Sequence, residues 1–405
     1  MRNELDKLML SENLDAIVAF GSASDPSFSY LTYGADISNS IFIKTRDGKV
    51  SIWLWPIERE GVKNTDFDVH IFDQALHQSV LAETNNHELA EIEVYLKSLD
   101  SLKGRHKRIA IYGRLEFSLS RLLCDELVKR LPELEIIADQ IPTIMDQLRS
   151  TKDEEELANM LEVGNKTSRV MVETRDFISK HKTCKEVFIK ADGLPLTVGE
   201  VKRFTRTKLF ENDLEEIEGM IFAPGAQATV PHNSGEPNTP ISLGVPIIFD
   251  LFPKETKGYF HDVTRTWCFG YAPDDIQGLY DDVLGCFKVV KNTSASGLST
   301  GDLQELACKY FRERGHPVIM DDPELLEGYP HSLGHGVGLD VHESPFIGSG
   351  DKNLLSKGNV FTIEPGLYYP KRGLAVRIED TLYLNSEGKC ISMTDVPYDL
   401  VVSVE

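Results

Sequence analysis

Acidic residues and histidines in the second half of this 405-residue chain stand where packing alone would not put them. Asp250 closes the apolar run Val245-Pro-Ile-Ile-Phe249. A carboxylate there is either a cap or a ligand, because a buried charge is costly unless paired or metal-bound. Asp262 follows twelve residues later, in Tyr259-Phe-His-Asp-Val-Thr-Arg-Thr-Trp267. Lys254, Glu255, Thr256, Lys257 and Gly258 can turn the chain between them. A hairpin centred on Thr256 would set Asp250 opposite Asp262, with Cβ atoms about 4.5–5.5 Å apart. Two carboxylates that close repel strongly unless a cation lies between them.

The next chemical segment is His331-Ser-Leu-Gly-His335-Gly-Val-Gly-Leu-Asp-Val-His342-Glu343. Any one of its histidines could be an ordinary hydrogen-bonded core residue; three within twelve residues point to a site. Gly334, Gly336 and Gly338 oppose a regular helix and allow the backbone to crowd a ligand. Glu364 ends the strand-like Phe361-Thr-Ile and precedes Pro365-Gly366, and Pro365 stiffens the exit. Glu379 lies in Val376-Arg-Ile-Glu-Asp380. Either glutamate could be a structural ion pair, Glu379 with Arg377; both together fit that reading less well. Two Asp, two Glu and one His form an oxygen-rich set that suits Mn²⁺, with Co²⁺, Fe²⁺ or Zn²⁺ as other candidates. Four carboxylates suit two divalent cations, which about 3.5–4 Å apart can share a hydroxide and clamp a hydrolytic transition state.

These residues need strands to hold them. Strand candidates are 219–223, 246–252, 259–269, 359–364, 375–379 and 381–384. Helices separate them. Thr151 with Glu154 is a capping-box pattern opening a long helix, striped by Leu157, Met160, Leu161, Gly164, Ser168 and Met171. Thr197 with Glu200 repeats the pattern. Further helices are marked by Ile276, Leu279, Val283, Phe287 and Val290, and by Leu303, Leu306, Ala307 and Phe311 before Gly315. Segregated helices and mostly antiparallel strands predict α+β for this half. The first 150 residues instead alternate helix and strand, an α/β pattern without a chemical motif. Its strands are 16–20, 40–44, 51–55 and 108–112, with Leu119, Leu122, Leu123 and Leu127 marking a helix behind the last. The boundary falls near Arg149, giving domains 1–149 and 150–405, as the length also predicts.

Composition narrows the function. The chain has 43 Lys+Arg against 64 Asp+Glu, a formal net charge of −21. That balance opposes nucleic-acid binding and an anionic membrane surface. No apolar run reaches the roughly 18–20 residues of a membrane span. The first residues carry Arg2, Glu4, Asp6 and Lys7 and no apolar signal core, so a cytoplasmic protein is expected. Six dispersed cysteines without a CxxC pair read as free thiols.

With these motifs in hand, the sequence resembles the metallopeptidases that include Xaa-Pro aminopeptidase (aminopeptidase P), prolidase and methionine aminopeptidase. The matching segments, in family order, are Phe249-Asp250, Asp262-Val-Thr-Arg-Thr, Gly334-His335-Gly-Val-Gly, Ile363-Glu364-Pro365-Gly366 and Arg377-Ile-Glu379-Asp380. The resemblance covers 150–405 densely and the N-terminal half more loosely. It implies a pita-bread catalytic domain behind a creatinase/prolidase-type N-terminal domain that gates substrate and makes dimer contacts. It implies that Asp250 binds one metal, Asp262 and Glu379 bridge both, and His335 and Glu364 complete the second. Glu364 would also accept the proton of the attacking water, and His342 would stabilise charge at the scissile carbonyl. His232 would line the site, His331 would flank the proline pocket, and Arg377 would hold substrate or order the glutamates. Three departures are an Asp250-to-Asp262 spacing one residue longer than in typical members, His232 one residue further upstream of Asp250, and Phe252 where the family often has glycine. The two-domain layout with all five ligands favours an Xaa-Pro dipeptidase or aminopeptidase acting on short proline-containing peptides, expected as a homodimer. The rival readings are a same-fold hydrolase with a non-proline, creatinase-like substrate, and a non-catalytic binding protein on this scaffold.

Overall fold

The computed structural model of the chain describes residues 2–104, 107–138, 141–256 and 258–404. Packing divides it into two compact units, Met1–Leu148 and Arg149–Glu405. No helix among the described residues is long and apolar enough to cross a membrane.

The first unit is built on a mixed sheet with strand order Asp68–Ile71, Val50–Leu54, Ser40–Thr45, Ala16–Gly21, Arg108–Tyr112, Glu135–Ile136. Ala16–Gly21 pairs antiparallel with Ser40–Thr45 and parallel with Arg108–Tyr112. Its even and odd residues feed different cores. Ile17 and Ala19 pack with Phe42 and Ile52, whereas Ala16, Val18 and Phe20 pack with Ile41 and Ile43. A strand covered on both faces must be apolar at every position, which is why 16–20 reads as an unbroken apolar run.

The second unit is built on a larger sheet. Its main path runs Met220–Pro224, Ile247–Leu251, Val263–Phe269, Glu379–Leu384, Val360–Ile363, Gly334–Gly336, Glu343–Ile347. Each neighbouring pair on that path is antiparallel. Two helix pairs back it, each over its own core. Glu154–Ser179 and Val198–Glu211 cover Phe222, Phe249, Val263 and Trp267. Asp274–Thr293 and Thr300–Arg312 cover Phe361, Ile363 and Leu382.

Three local expectations are corrected. The turn between the two aspartates centres one residue later than Thr256: Asp250 pairs with Thr264, and Lys254 bridges Phe260. Asp262 is therefore the diagonal neighbour of Asp250 on the same face, not its direct partner. The cause is the tip, where Glu255 N–H donates to Tyr259 O and Lys254–Glu255 pairs with Leu214–Glu215. Lys257, part of the expected turn, lies outside the described residues. The long helix is capped by Asp153 and Glu156 instead of Thr151 and Glu154. Asp153 Oδ1 accepts from Glu156 N–H at 3.0 Å and Glu156 Oε2 from Asp153 N–H at 2.9 Å. Thr151 is occupied by a bridge to Asn359. Finally, the expected strand 375–379 breaks at Ile378: Leu374–Arg377 pairs with Gly366–Tyr369, and Glu379 begins the strand beside Val263–Phe269.

Two helix glycines give opposite expectations. A Cβ on Gly164 would stand 2.5 Å from Met393 O and 3.0 Å from the His261 ring. Gly164→Ala should destabilise by about 1–3 kcal/mol through overpacking. Gly278, on Asp274–Thr293, has nothing within 4 Å of its Cβ position, so Gly278→Ala should stabilise by about 0.5–1 kcal/mol. Urea midpoints at unchanged m-value are the measurement; a Gly164→Ala protein as stable as the parent would mean that the helix need not sit this close.

Candidate metal centre

Strand ends deliver the acidic residues to one place. Asp250 is the penultimate residue of Ile247–Leu251, Asp262 immediately precedes Val263–Phe269, and Glu364 immediately follows Val360–Ile363. Glu379 is the first residue of Glu379–Leu384, and His335 is the middle of Gly334–Gly336. All five line one cleft of ≈ 540 Å³, together with His232, His331, His342 and Arg377. Glycine is required beside His335, because a Cβ on Gly334 would meet Thr362 O at 2.1 Å and one on Gly336 would meet Ser344 O at 2.3 Å.

Within the cleft the donors are not equivalent. One ligand atom from each of Asp262, His335 and Glu379 lies within 4.8 Å of the other two. His335 Nε2 is 3.5 Å from Glu364 Oε1 and 3.7 Å from Asp262 Oδ2. Asp250 is held differently: Arg377 Nη2 donates to its Oδ2 at 2.6 Å. Thr264 donates to Glu379 Oε2 at 2.7 Å. Three carboxylate oxygens of this cleft are buried without a hydrogen-bond partner among the described residues: Asp250 Oδ1, Asp262 Oδ1 and Glu379 Oε1.

Electrostatics point the same way as the orphaned oxygens. Burial, then the charge of Glu379, pushes the Asp262 carboxyl well above the usual carboxylate range. Burial and Glu379 raise Glu364, and burial and Asp250 raise Glu379. Burial, with His342 adding to it, depresses His335 to about 3, so its ring is neutral and keeps a lone pair for a cation. The contacts of His335 with Asp262 and Glu364 are thus not charged pairs. Arg377 is the guanidinium at this site, and its charge goes to Asp250. The donor set therefore fits hard divalent cations, which would replace protons as the neutralising charge.

The other residues form two flanks. On one, the His342 ring lies 4.2 Å from that of His335, centroid to centroid, and burial lowers its pKa. His232 lies at the exposed rim. On the other, His331 Nε2 is 3.2 Å from Tyr368 Oη, which also accepts from Arg377 Nη1 at 2.9 Å. Burial depresses His331 to about 4. Arg377 donates to Asp250, Tyr368 and Pro231 O, and its Nε donates at 3.3 Å to the Thr264 hydroxyl that in turn donates to Glu379, so it touches an aspartate directly and a glutamate through Thr264. The ion pair beside Glu379 is Arg265 with Asp380, at 2.8 Å and fully buried. Sequence reasoning missed Tyr368, Thr264 and Arg265 as site-shaping residues. Arg265 and Thr264 sat inside a quoted motif; Tyr368, in an apolar strand, carried no signal separating it from a core aromatic.

Relieving the crowding should be visible without any assay. With a chelator present, Asp262→Asn and Glu379→Gln should melt at or above the parent, because each removes one repelling carboxylate. On adding Mn²⁺ the parent should gain several degrees and each variant much less, by linkage. Equal metal-induced gains in parent and variants would remove both residues from the ligand set.

Comparison with known proteins accords with this geometry. Metallopeptidase family M24 matches residues 158–386. The Bacillus subtilis protein YkvY is 33% identical over 198 residues, 48% of this chain and 51% of YkvY, so the chain spans about half that relative's length. The Xaa-Pro dipeptidase of Pyrococcus furiosus is 27% identical over 319 residues, 78% of this chain and 80% of that one. Among solved structures, the prolidase from Pyrococcus horikoshii OT3 superposes with a TM-score of 0.75 at 22% identity, covering 98% of this chain and 99% of its own. The likeness to the prolidase is one of fold, and that fold is the α+β pita-bread architecture.

Proposed function

The chain belongs to metallopeptidase family M24 and is a metallopeptidase; from that premise we propose that it hydrolyses the Xaa-Pro bond of dipeptides or short peptides. Asp250, Asp262, His335, Glu364 and Glu379 would hold two divalent ions, Mn²⁺ first among the candidates. The observation that carries this reading is the set of three buried, partnerless carboxylate oxygens in one cleft with Glu364 and a neutral His335. The Xaa-Pro dipeptidase relative supports the substrate class.

Divalent cations at this site would supply Lewis acidity and make water nucleophilic at neutral pH. The remaining work falls to side chains. Glu364 is the most open of the ion-paired or imidazole-contacting acids here, with 21% of its side chain exposed against 7% for Asp262 and 11% for Asp250. It would take the proton of the attacking water and pass it to the proline nitrogen as the C–N bond breaks. That transfer matters because the departing secondary amine must leave protonated. His342, whose burial favours the neutral ring, would donate to the oxygen of the scissile carbonyl as charge develops there. Arg377 would keep Asp250 oriented, and His331 with Tyr368 would wall the proline side of the cleft.

With Mn²⁺ kept saturating to offset the weaker ligand, Glu364→Gln should lower kcat by about 10²–10⁴-fold, since a general base contributes on that order. Metal content and steady-state rates on Leu-Pro measure this; full activity in the Glu364→Gln protein would assign the proton elsewhere. Chelation should abolish cleavage and Mn²⁺ restore it, and persistent activity in metal-free protein would sink the metal mechanism. Leu-Pro should be cleaved faster than Leu-Pro-Gly, with Leu-Ala a poor substrate. A preference for the tripeptide would make the chain an aminopeptidase.

A further inference from the structure

Behind the His335–His342 pair lies a cluster of buried charges that the mechanism above does not use. Glu343 has only 6% of its side chain exposed. Lys152 Nζ donates to its Oε1 at 2.5 Å, and Arg149 Nη2 donates to its Oε2. Arg149 Nη2 also donates to Asp340 Oδ2 at 2.8 Å. The side chains of Arg149 and Lys152 are 9% and 2% exposed. Such a cluster is weak evidence for stability, because desolvation offsets most of the attraction; what it does show is that two cations hold both oxygens of Glu343.

Its geometry bears on one turn. Glu343 pairs with Gly336 across an irregular register. A Cβ on Gly338 would stand 2.1 Å from Glu343 Oε1, so the turn closes around that carboxylate only because 338 is glycine. Gly338 N–H donates to Asp340 O at 3.0 Å, and Phe260 N–H donates to Gly338 O at 2.8 Å. His342 leaves this turn immediately before Glu343 and places its ring beside His335. We propose that Glu343 is a positioning residue: clamped by Arg149 and Lys152, its carboxylate fixes the 337–342 turn and so aims the His342 ring into the cleft. This rests on the role given to His342 above.

The test is a double-mutant cycle of Glu343→Gln and His342→Ala on Leu-Pro, with kcat, KM and bound Mn²⁺ measured for each protein. Glu343→Gln should lower kcat roughly 10- to 100-fold, as misplacement of about 1 Å does, with KM and metal content nearly unchanged. In the His342→Ala background it should add nothing, because its effect runs through that ring. Independent, multiplying effects would overturn the proposal while leaving the His342 role intact, as would loss of metal from the Glu343→Gln protein. An unimpaired His342→Ala protein would instead overturn the His342 role and this inference with it. Should Glu343→Gln fail to fold, Asp340→Asn, which touches the same Arg149 from a 20% exposed position, enters the cycle with the same two outcomes.

Discussion

Carboxylates gathered in a dry cleft repel one another, and much of the second unit is arranged to tolerate that repulsion. Asp250, Asp262, Glu364 and Glu379 all meet at strand ends, where low dielectric strengthens every charge–charge term. The protein answers only in part. Arg377 neutralises Asp250, Thr264 takes one oxygen of Glu379, and the Asp262 backbone exchanges two hydrogen bonds with the Thr381 hydroxyl. Three oxygens are left over, and Asp262, Glu364 and Glu379 hold protons more tightly than ordinary carboxyls. Divalent cations would answer that charge and, in the proposed reaction, supply the Lewis acidity.

A site under such tension needs a rigid floor. Arg265 supplies part of it from beneath the sheet. Its guanidinium donates to Glu379 O, Asp380 Oδ1 and Val396 O, joining three segments around the residue that presents Glu379. Asp380 is also reached by Ser392 and Tyr398, so this ion pair is fully furnished with partners. Thr266 and Arg377 exchange hydrogen bonds with one another's strand, fixing the ladder that carries Arg377 beside the one that carries Glu379. The break at Ile378 lets one short stretch serve both: Arg377 orders Asp250, and Glu379 enters the acid cluster two residues later.

The glycines around His335 are the complementary device. Gly334, Gly336 and Gly338 each lie against atoms that a side chain would strike. They let the backbone bearing His335 and His342 press against Thr362, Ser344 and Glu343. His335 thus reaches the acid cluster from an irregular strand pair, and His342 stands against the His335 ring from the turn that follows.

Much of this was legible in the chain itself. Near-continuous apolar runs predict strands at 16–20, 246–252 and 359–364 because burial on one or both faces leaves few other choices of residue. Acids ending such runs are anomalous on energetic grounds alone, and the order of Asp250, Asp262, His335, Glu364 and Glu379 carries the family resemblance. Register, capping and long-range partnership were decided by the tertiary structure. The hairpin slipped by one position because its tip pairs with Leu214–Glu215, and Asp153 took the helix cap because Thr151 was held by Asn359. Tyr368 joined the site, and Glu343 found Arg149 and Lys152, across separations that no local pattern encodes. Residue type and spacing determine which chemistry is available; which atoms face one another depends on contacts between distant segments, and those exist only once the sheet has closed.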